Sequence, residues 1–217
     1  MTFALKAFGE LITVNAMKHV GRVVAALSIG LLLANNQTTR GEQISIDLTQ
    51  WTPPGIGTVS DDPFGQLVRY GYNLFTDTAN EIGPSVSEPA KRLAGNNLAC
   101  QNCHLRGGTQ PYAMPMTGVW GQFPQYRARE GMVDILEERI NGCMQRSMNG
   151  RAFSLESHEM KAFSSYMRWL STGVADGAKL IGAGTLQIKE PGRAADPRRG
   201  AEIYAQACAA CHGTNGL

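Results

Sequence analysis

The sequence has no strong excess of charge of either sign. It contains 20 Lys and Arg against 18 Asp and Glu, which gives a formal charge of +2 at pH 7. The segment 1–40 holds four of the basic and one of the acidic side chains, so the remainder has 16 basic and 17 acidic ones. Domains that bind nucleic acid usually carry a clustered basic excess. We therefore expect no nucleic-acid partner.

A long hydrophobic run is also missing. The uncharged stretch 23–34 would span about 18 Å as a helix, against a hydrocarbon core of roughly 30 Å. Lys18 and Arg22 precede this stretch, which is the layout of a secretory leader. We expect residues 1–40 to be such a leader, with Met17 as an alternative start. The mature protein would be periplasmic, without a stable membrane anchor.

The chain lacks the alternation of apolar and polar residues that marks half-buried strands, whereas helical spacing recurs. Three apolar helix faces are formed by Phe64, Leu67, Val68, Leu74 and Phe75, by Ile135, Leu136, Ile140, Cys143 and Met144, and by Leu155, Met160, Phe163, Met167 and Leu170. We expect Ser154 to cap the third helix and Gly173 to end it. These patterns predict an all-α fold.

Histidine and cysteine are few, with four His and five Cys, yet most of them fall in two motifs. Residues 100–104 and 208–212 both read C-x-x-C-H. An Asp-Pro pair typical of a helix start precedes each motif, at 62–63 and at 196–197. In c-type cytochromes the two thiols form thioethers with the haem vinyl groups, and the histidine binds iron.

The motifs predict two covalently attached haem c groups. Their attachment residues would be Cys100, Cys103, Cys208 and Cys211, with His104 and His212 as proximal iron ligands. A zinc site is the alternative, but zinc ribbons usually separate their cysteine pairs by roughly 15 to 20 residues, and the interval between these two pairs is several times longer. A thioredoxin-like redox motif is a still weaker interpretation, because no βαβ pattern surrounds either pair of cysteines.

The repeated motif indicates an internal duplication and predicts two c-type cytochrome domains in tandem. We expect the first domain at 41–172, a glycine-containing linker at 173–195 and the beginning of a second domain at 196–217. A second domain like the first needs further helices to close its core. We therefore expect this sequence to be C-terminally truncated.

Residue types alone leave the second axial ligand of the first haem open. His158 is the spare histidine, but its charged neighbours favour a solvated position on a helix. Met167 follows His104 at a plausible distance for a distal ligand, and it also lies on the core stripe of its helix. Cys143 is either a buried structural thiol or an iron ligand.

The neighbours of Cys143 favour the ligand. Arg139 at i−4 and Ser147 at i+4 share its helix face, and Arg146 at i+3 is adjacent. Thiols beside arginine drop from a pKa of about 8.5 toward roughly 3.5 to 7.5, which gives a thiolate able to bind iron or attack sulfur. Pairing of these arginines with Glu137 or Glu138 on a solvated face is the alternative.

Three segments resemble the catalytic domain of the thiosulfate dehydrogenase family, which consists of periplasmic dihaem cytochromes c. They are CQNCH at 100–104, VWGQFPQYRAR at 119–129 and ERINGCMQRSMNG at 138–150. The resemblance implies an enzyme that joins two thiosulfates into tetrathionate. Electrons would pass from the first haem to the second and then to an external acceptor, such as a soluble cytochrome.

The resemblance also implies roles for individual residues. It makes Cys143 the distal ligand of the first haem and places Arg129, Arg139 and Ser147 in the substrate pocket. Two other functions are weighed against it. A related sulfur-oxidation cytochrome subunit would transfer thiosulfate onto a cysteine of a carrier protein, and a plain electron-transfer cytochrome would use Met167 and bind no substrate.

Overall fold

The computed structural model describes residues 43–190 and 192–216, except for the side chain of Cys211. The expected leader at 1–40 lies outside these residues. The chain divides into the units Met1–Gln43 and Ile44–Leu217, and the description below concerns the second unit. Within the described residues, no helix is long and apolar enough to cross a membrane.

The second unit is mainly helical. Its α-helices are α1 (Pro63–Thr76), α2 (Thr78–Ile82), α3 (Leu105–Gly108), α4 (Leu136–Arg146), α5 (His158–Leu170), α6 (Pro197–Ala207) and α7 (Ala209–His212). Short 3-10 helices lie at Ile56–Thr58, Pro89–Lys91, Cys100–Asn102 and Trp120–Gln122. The helical content agrees with the expected fold class.

Two small sheets accompany the helices. Strand β1 (Ser45–Asp47) pairs in parallel with β4 (Lys179–Ile181), and β2 (Gln125–Arg127) pairs antiparallel with β3 (Met132–Asp134). The fold is therefore not purely α-helical. Such short strands cannot show a recognisable alternation, so the sequence pattern did not predict them.

Helix α1 begins where the sequence predicted a helix start. The Asp62 carboxylate accepts a hydrogen bond from the Gly65 N–H at 2.7 Å, and Pro63 occupies the first helical position. The second Asp-Pro pair does the same for α6, where the Asp196 carboxylate accepts from the N–H groups of Arg198 and Arg199. Both pairs thus act as helix N-caps.

The core forms where α1 packs against α5. Val68, Leu74 and Phe75 of α1 are buried, and they belong to one apolar cluster with the inward face of α5. That face consists of Met160, Ala162, Phe163, Tyr166, Met167 and Leu170. At Gly71 the helices approach so closely that an added Cβ would collide with the Ala162 carbonyl.

The start of α5 corrects one prediction. Ser157, and not Ser154, is the N-cap, and its hydroxyl accepts a hydrogen bond from the Met160 N–H at 3.2 Å. Ser154 instead caps the preceding turn, where its hydroxyl accepts from the Glu156 N–H. Leu155 precedes the helix and is exposed, so it does not belong to the apolar face.

The predicted linker 173–195 contains regular structure. Its residues 179–181 form β4, which pairs with β1 near the beginning of the described chain. Further on, α6 has no buried residue. The boundaries 41–172 and 196–217 and the tandem arrangement of two domains stay predictions.

Candidate active site

The first C-x-x-C-H motif is folded into a single turn. Cys100–Asn102 form a 3-10 helix, and the Asn102 side chain accepts a hydrogen bond from the Ala99 N–H at 2.6 Å. The N–H groups of Cys103 and His104 donate to the Cys100 carbonyl at 3.2 and 3.0 Å. The two thiols and the imidazole therefore lie within one turn, as covalent attachment of a haem requires.

The His104 ring is oriented by the backbone. Its Nδ1 lies 2.7 Å from the Met114 carbonyl oxygen, and since a carbonyl only accepts, Nδ1 carries the proton. Burial lowers the pKa of His104, with a smaller contribution from the Arg139 charge, so the neutral imidazole is favoured. Nε2 then keeps its lone pair for iron. These features fit a proximal haem ligand.

Cys143 lies near this motif. Burial raises the pKa of the Cys100 thiol to about 11, and the proximity of Cys143 adds to this effect. The Thr78 hydroxyl opposes it through a hydrogen bond to the Cys100 sulfur. The structure thus brings together two cysteines that are far apart in the sequence.

Helix α4 positions Cys143 on its last turn. The Glu138 carboxylate accepts from the Ile135 N–H at 2.9 Å and so closes the start of the helix. Leu136, Ile140 and Met144 are buried and fix the helix against the core, which leaves Cys143 half-buried at its edge. Ile135 itself is an exposed N-cap residue, contrary to its predicted place on the apolar face.

The two arginines near Cys143 differ in their surroundings. Arg146 forms an ion pair with Glu130 at 3.1 Å. Arg139 is half-buried, and its guanidinium makes no hydrogen bond or ion pair within the described ranges, while its charge affects the pKa of His104. Neither arginine pairs with Glu137 or Glu138, which the sequence offered as partners.

Both of these glutamates have other contacts. Glu137 accepts a hydrogen bond from the Ser164 hydroxyl of α5 at 2.9 Å, and Glu138 caps α4. Glu130, the partner that sequence reasoning missed, lies on the loop between β2 and β3 and reaches Arg146 from there. Helix spacing could not reveal this contact because it joins a loop to a helix.

Arg129 and Ser147 occupy the edges of this region. Arg129 is exposed on the β2–β3 loop, next to Glu130, so the Glu130–Arg146 pair ties its loop to the helix of Cys143. Ser147 follows the last turn of α4 and is exposed. Its N–H donates to the Cys143 carbonyl at 2.8 Å, and its own carbonyl accepts from Asn96.

The two alternative distal ligands have structural surroundings of their own. His158 stacks on Tyr70 with ring centroids 5.1 Å apart, at the exposed start of α5. Met167 is 5% exposed and belongs to the core cluster. Cys143 lies close enough to Cys100 to affect the pKa of its thiol, and its role as the distal ligand stays a prediction.

The second motif also occupies a helical turn. The His212 N–H donates to the Cys208 carbonyl at 2.9 Å, and the Tyr204 hydroxyl donates to the carbonyls of His212 and Gly213. Cys208 is half-buried and His212 is exposed. The side chain of Cys211 lies outside the described residues.

Comparison with known proteins agrees with this geometry. Residues 90–175 match the SoxA/TsdA cytochrome c domain, and residues 195–217 match the family of cytochrome c oxidase, cbb3-type, subunit III. Cytochrome c domains imply haem c, so the predicted type of cofactor is confirmed, and the number of haems stays a prediction.

Whole proteins are similar as well. The chain is 32% identical over 219 residues to a thiosulfate dehydrogenase of Psychrobacter arcticus, covering 99% of this chain and 64% of that protein. It is 37% identical over 171 residues to that of Allochromatium vinosum, covering 76% and 59%. The chain thus spans less than two thirds of the length of these relatives.

A solved structure gives the same picture. The thiosulfate dehydrogenase (TsdBA) from Marichromatium purpuratum superposes with a TM-score of 0.66 and 34% identity, over 77% of this chain and 36% of that one. The resemblance that the three sequence segments predicted is confirmed.

Proposed function

Because the chain is a homologue of the thiosulfate dehydrogenases, we propose that it oxidises thiosulfate to tetrathionate in the periplasm. Cys100 and Cys103 would attach the first haem, with His104 and Cys143 as its ligands, and Cys208 and Cys211 would attach the second, with His212 as its ligand. Electrons would leave by way of the second haem to an external acceptor, such as a soluble cytochrome. The observation that carries the proposal is the position of Cys143 and Arg139 beside the first motif.

Electrostatic repulsion must be offset before two thiosulfates can react with each other. Each thiosulfate is a dianion, so the approach of two sulfane sulfurs is opposed by their repulsion. Arg139 has no acidic partner in the described part of the chain, and a charge-assisted hydrogen bond from it contributes about 1.5 to 3 kcal/mol. Arg129 can add a second cation from the β2–β3 loop. Arg146 contributes less, because Glu130 already neutralises it.

The reaction balances without protons. Two thiosulfates lose two electrons and gain one sulfur–sulfur bond, which gives tetrathionate. Bound haem supplies one-electron acceptors, and two of them match the two electrons released. Cys143 would hold the haem as a thiolate ligand, or its sulfur would bond to one thiosulfate sulfur while the haems take up two electrons, and a second thiosulfate would then displace tetrathionate and restore the thiolate. The mass of the Cys143 peptide after reaction with thiosulfate tests for the adduct.

The test uses protein matured with haem in a periplasm. Thiosulfate-dependent reduction of ferricyanide and the tetrathionate formed are measured for the unaltered chain, for Cys143→Ala and for Gln145→Ala. Gln145 is an exposed neighbour on the same helix, so its variant controls for changes in α4. We expect Cys143→Ala to lose tetrathionate formation and Gln145→Ala to keep it. Full activity of Cys143→Ala would show that this mechanism is wrong.

A second function has specific support. The cytochrome c domain family that residues 90–175 match includes SoxA as well as TsdA. The sulfur-oxidation cytochrome subunit weighed above corresponds to the SoxA side of this match. Such a subunit would transfer thiosulfate onto a carrier cysteine. Oxidation of free thiosulfate by the purified chain, with no carrier present, would decide for the dehydrogenase. A haem-loaded chain that forms no tetrathionate would favour the subunit.

A further inference from the structure

The Met114 carbonyl is a structural part of the first haem site. It accepts the only hydrogen bond that the His104 ring makes within the described residues, at 2.7 Å. A hydrogen bond to the second nitrogen of a ligating histidine fixes the ring and raises its basicity. The position of this one oxygen therefore affects how strongly His104 donates electrons to iron.

The loop that carries this carbonyl is strained. Tyr112 and Met114 have φ angles of 60° and 51°, in the left-handed region that residues other than glycine seldom adopt. Backbone of this kind persists only where the surrounding structure holds it. Two hydrogen bonds and a β-bridge to a distant segment hold it here.

These contacts come from the residues directly after β4. The Tyr112 N–H donates to the Gly182 carbonyl at 2.6 Å, and the Met114 N–H donates to the Gly184 carbonyl at 2.7 Å. Ala113, which lies between Tyr112 and Met114, forms an antiparallel bridge with Thr185. The loop is thus paired with a segment that comes much later in the chain.

This segment is anchored on its other side. β4 pairs in parallel with β1, and the Leu48 N–H donates to the Ile181 carbonyl at 2.9 Å. Residues 182–185 therefore connect a fixed strand to the loop that orients His104. The chain then continues toward the second C-x-x-C-H motif.

We propose that the segment 182–185 is a positioning element for the proximal histidine of the first haem. The carbonyls of Gly182 and Gly184 hold the loop, the loop holds the Met114 carbonyl, and that carbonyl sets the His104 hydrogen bond. Loosening the segment weakens this bond and lowers the basicity of His104. Since a less basic ligand stabilises the oxidised iron less, the reduction potential of the first haem rises. The inference rests on His104 as a haem ligand and does not require thiosulfate as the substrate.

Gly184→Ala tests the proposal against a matched control. Gly184 has a φ of 72° and Gly192 a φ of 65°, and an added Cβ would meet no atom within 4 Å at either position. Both alanine variants therefore add similar backbone strain, but only Gly184 supports Met114. The midpoint potential of the first haem is measured by spectroelectrochemical titration of the full chain. Repeating it with Cys208→Ser/Cys211→Ser, which can attach haem only at the first motif, assigns the signals.

The expected result is a rise in Gly184→Ala alone, equivalent to roughly a three- to tenfold change in the ratio of reduced to oxidised haem, where tenfold corresponds to about 59 mV. Gly184→Asn should return the potential toward the unaltered value, because asparagine tolerates left-handed backbone. Equal shifts in the two alanine variants, or none in a folded Gly184→Ala, would overturn the proposal.

A measurement on the unaltered holoprotein guards against a variant that fails to fold. Hydrogen exchange at the amides of Tyr112 and Met114 should be slow, because both are hydrogen-bonded to the segment. Exchange as fast as that of exposed loop amides would also overturn the proposal. If the chain makes no tetrathionate but the potential responds as expected, the proposed function fails and this inference stands.

Discussion

At the scale of single residues, the charges around Cys143 are unequal. Arg146 is held by Glu130 at 3.1 Å, whereas Arg139 has no acidic partner in the described chain. A guanidinium without a partner keeps its donors for an anionic ligand. The two arginines, although they share one helix, are therefore expected to differ in function.

Substitution of these arginines should separate their roles. If Arg139 binds thiosulfate as proposed, Arg139→Gln removes one charge-assisted hydrogen bond to the substrate, and kcat/KM should fall about 10- to 150-fold, which is the equivalent of roughly 1.5 to 3 kcal/mol. The double variant Arg146→Gln/Glu130→Gln removes a neutralised pair and leaves the net charge of the site unchanged. Its kcat/KM should fall far less. Initial rates of ferricyanide reduction give both values, and equal losses would contradict the assignment.

The sequence was informative about residues whose chemistry depends on local spacing. His104 lies beside the second cysteine of its motif, and Arg139 lies one helical turn before Cys143, so short-range rules could propose a role for each. Glu130 and the Met114 carbonyl escaped these rules. One is a loop residue that meets a helix, and the other is a backbone atom, which carries no signature in residue type.

At the scale of elements, the fold depends on the crossing of α1 and α5. Gly71 lets the two helices touch, since an added Cβ would collide with the Ala162 carbonyl and lie 2.8 Å from the Tyr166 Cβ. Tyr166 in turn donates its hydroxyl to the Gly107 carbonyl at 2.7 Å, shortly after His104 in the chain. This crossing therefore connects the core to the haem motif.

Gly71→Ala should destabilise the protein. The methyl group has no room, so the helices must separate, and overpacking of this kind costs about 1 to 3 kcal/mol or more. Gly200→Ala is the matched control, because Gly200 is also helical but an added Cβ there meets no atom within 4 Å. Alanine favours helix over glycine, so this variant should be neutral or stabilising. Urea unfolding of both holoproteins gives the free energies of unfolding, and a neutral Gly71→Ala would contradict the packing described.

The elements also show where sequence patterns lose resolution. The Asp-Pro pairs at 62–63 and 196–197 predicted two helix starts correctly, because capping is a local interaction. The predicted start of α5 was wrong by one turn, because Ser154 and Ser157 both carry hydroxyls that can cap a helix. Strands β1 and β4 pair although most of the described chain lies between them, and strands this short leave no periodic signal.

At the scale of the whole molecule, the chain between the two motifs changes character at about residue 186. Residues 179–185 pair with β1 and with the loop 112–114. From 186 to 195, the described residues make no backbone–backbone hydrogen bond, and Ile188 is 93% exposed. We therefore predict that the boundary between the two proposed haem domains falls in the later portion of the predicted linker.

Limited proteolysis with a lysine-specific protease tests this boundary. Cleavage requires several residues to fit an extended active site, so the hydrogen-bonded backbone around Lys179 should resist and that around Lys189 should be cut first. The products should be two fragments, separated at Lys189, that each retain a covalent haem by mass spectrometry. The haem on the smaller fragment would establish that the second motif is loaded.

Lys189→Arg is the control, because it keeps the charge and removes the cleavage site. This variant should lose the early cut while the cuts at other lysines keep their rates. Early cleavage after Lys179 would instead mean that β4 opens readily, and it would weaken the case for a fixed segment behind His104. A smaller fragment without haem would argue against the second electron acceptor, so that the two electrons of thiosulfate oxidation would have to leave one at a time through the first haem alone.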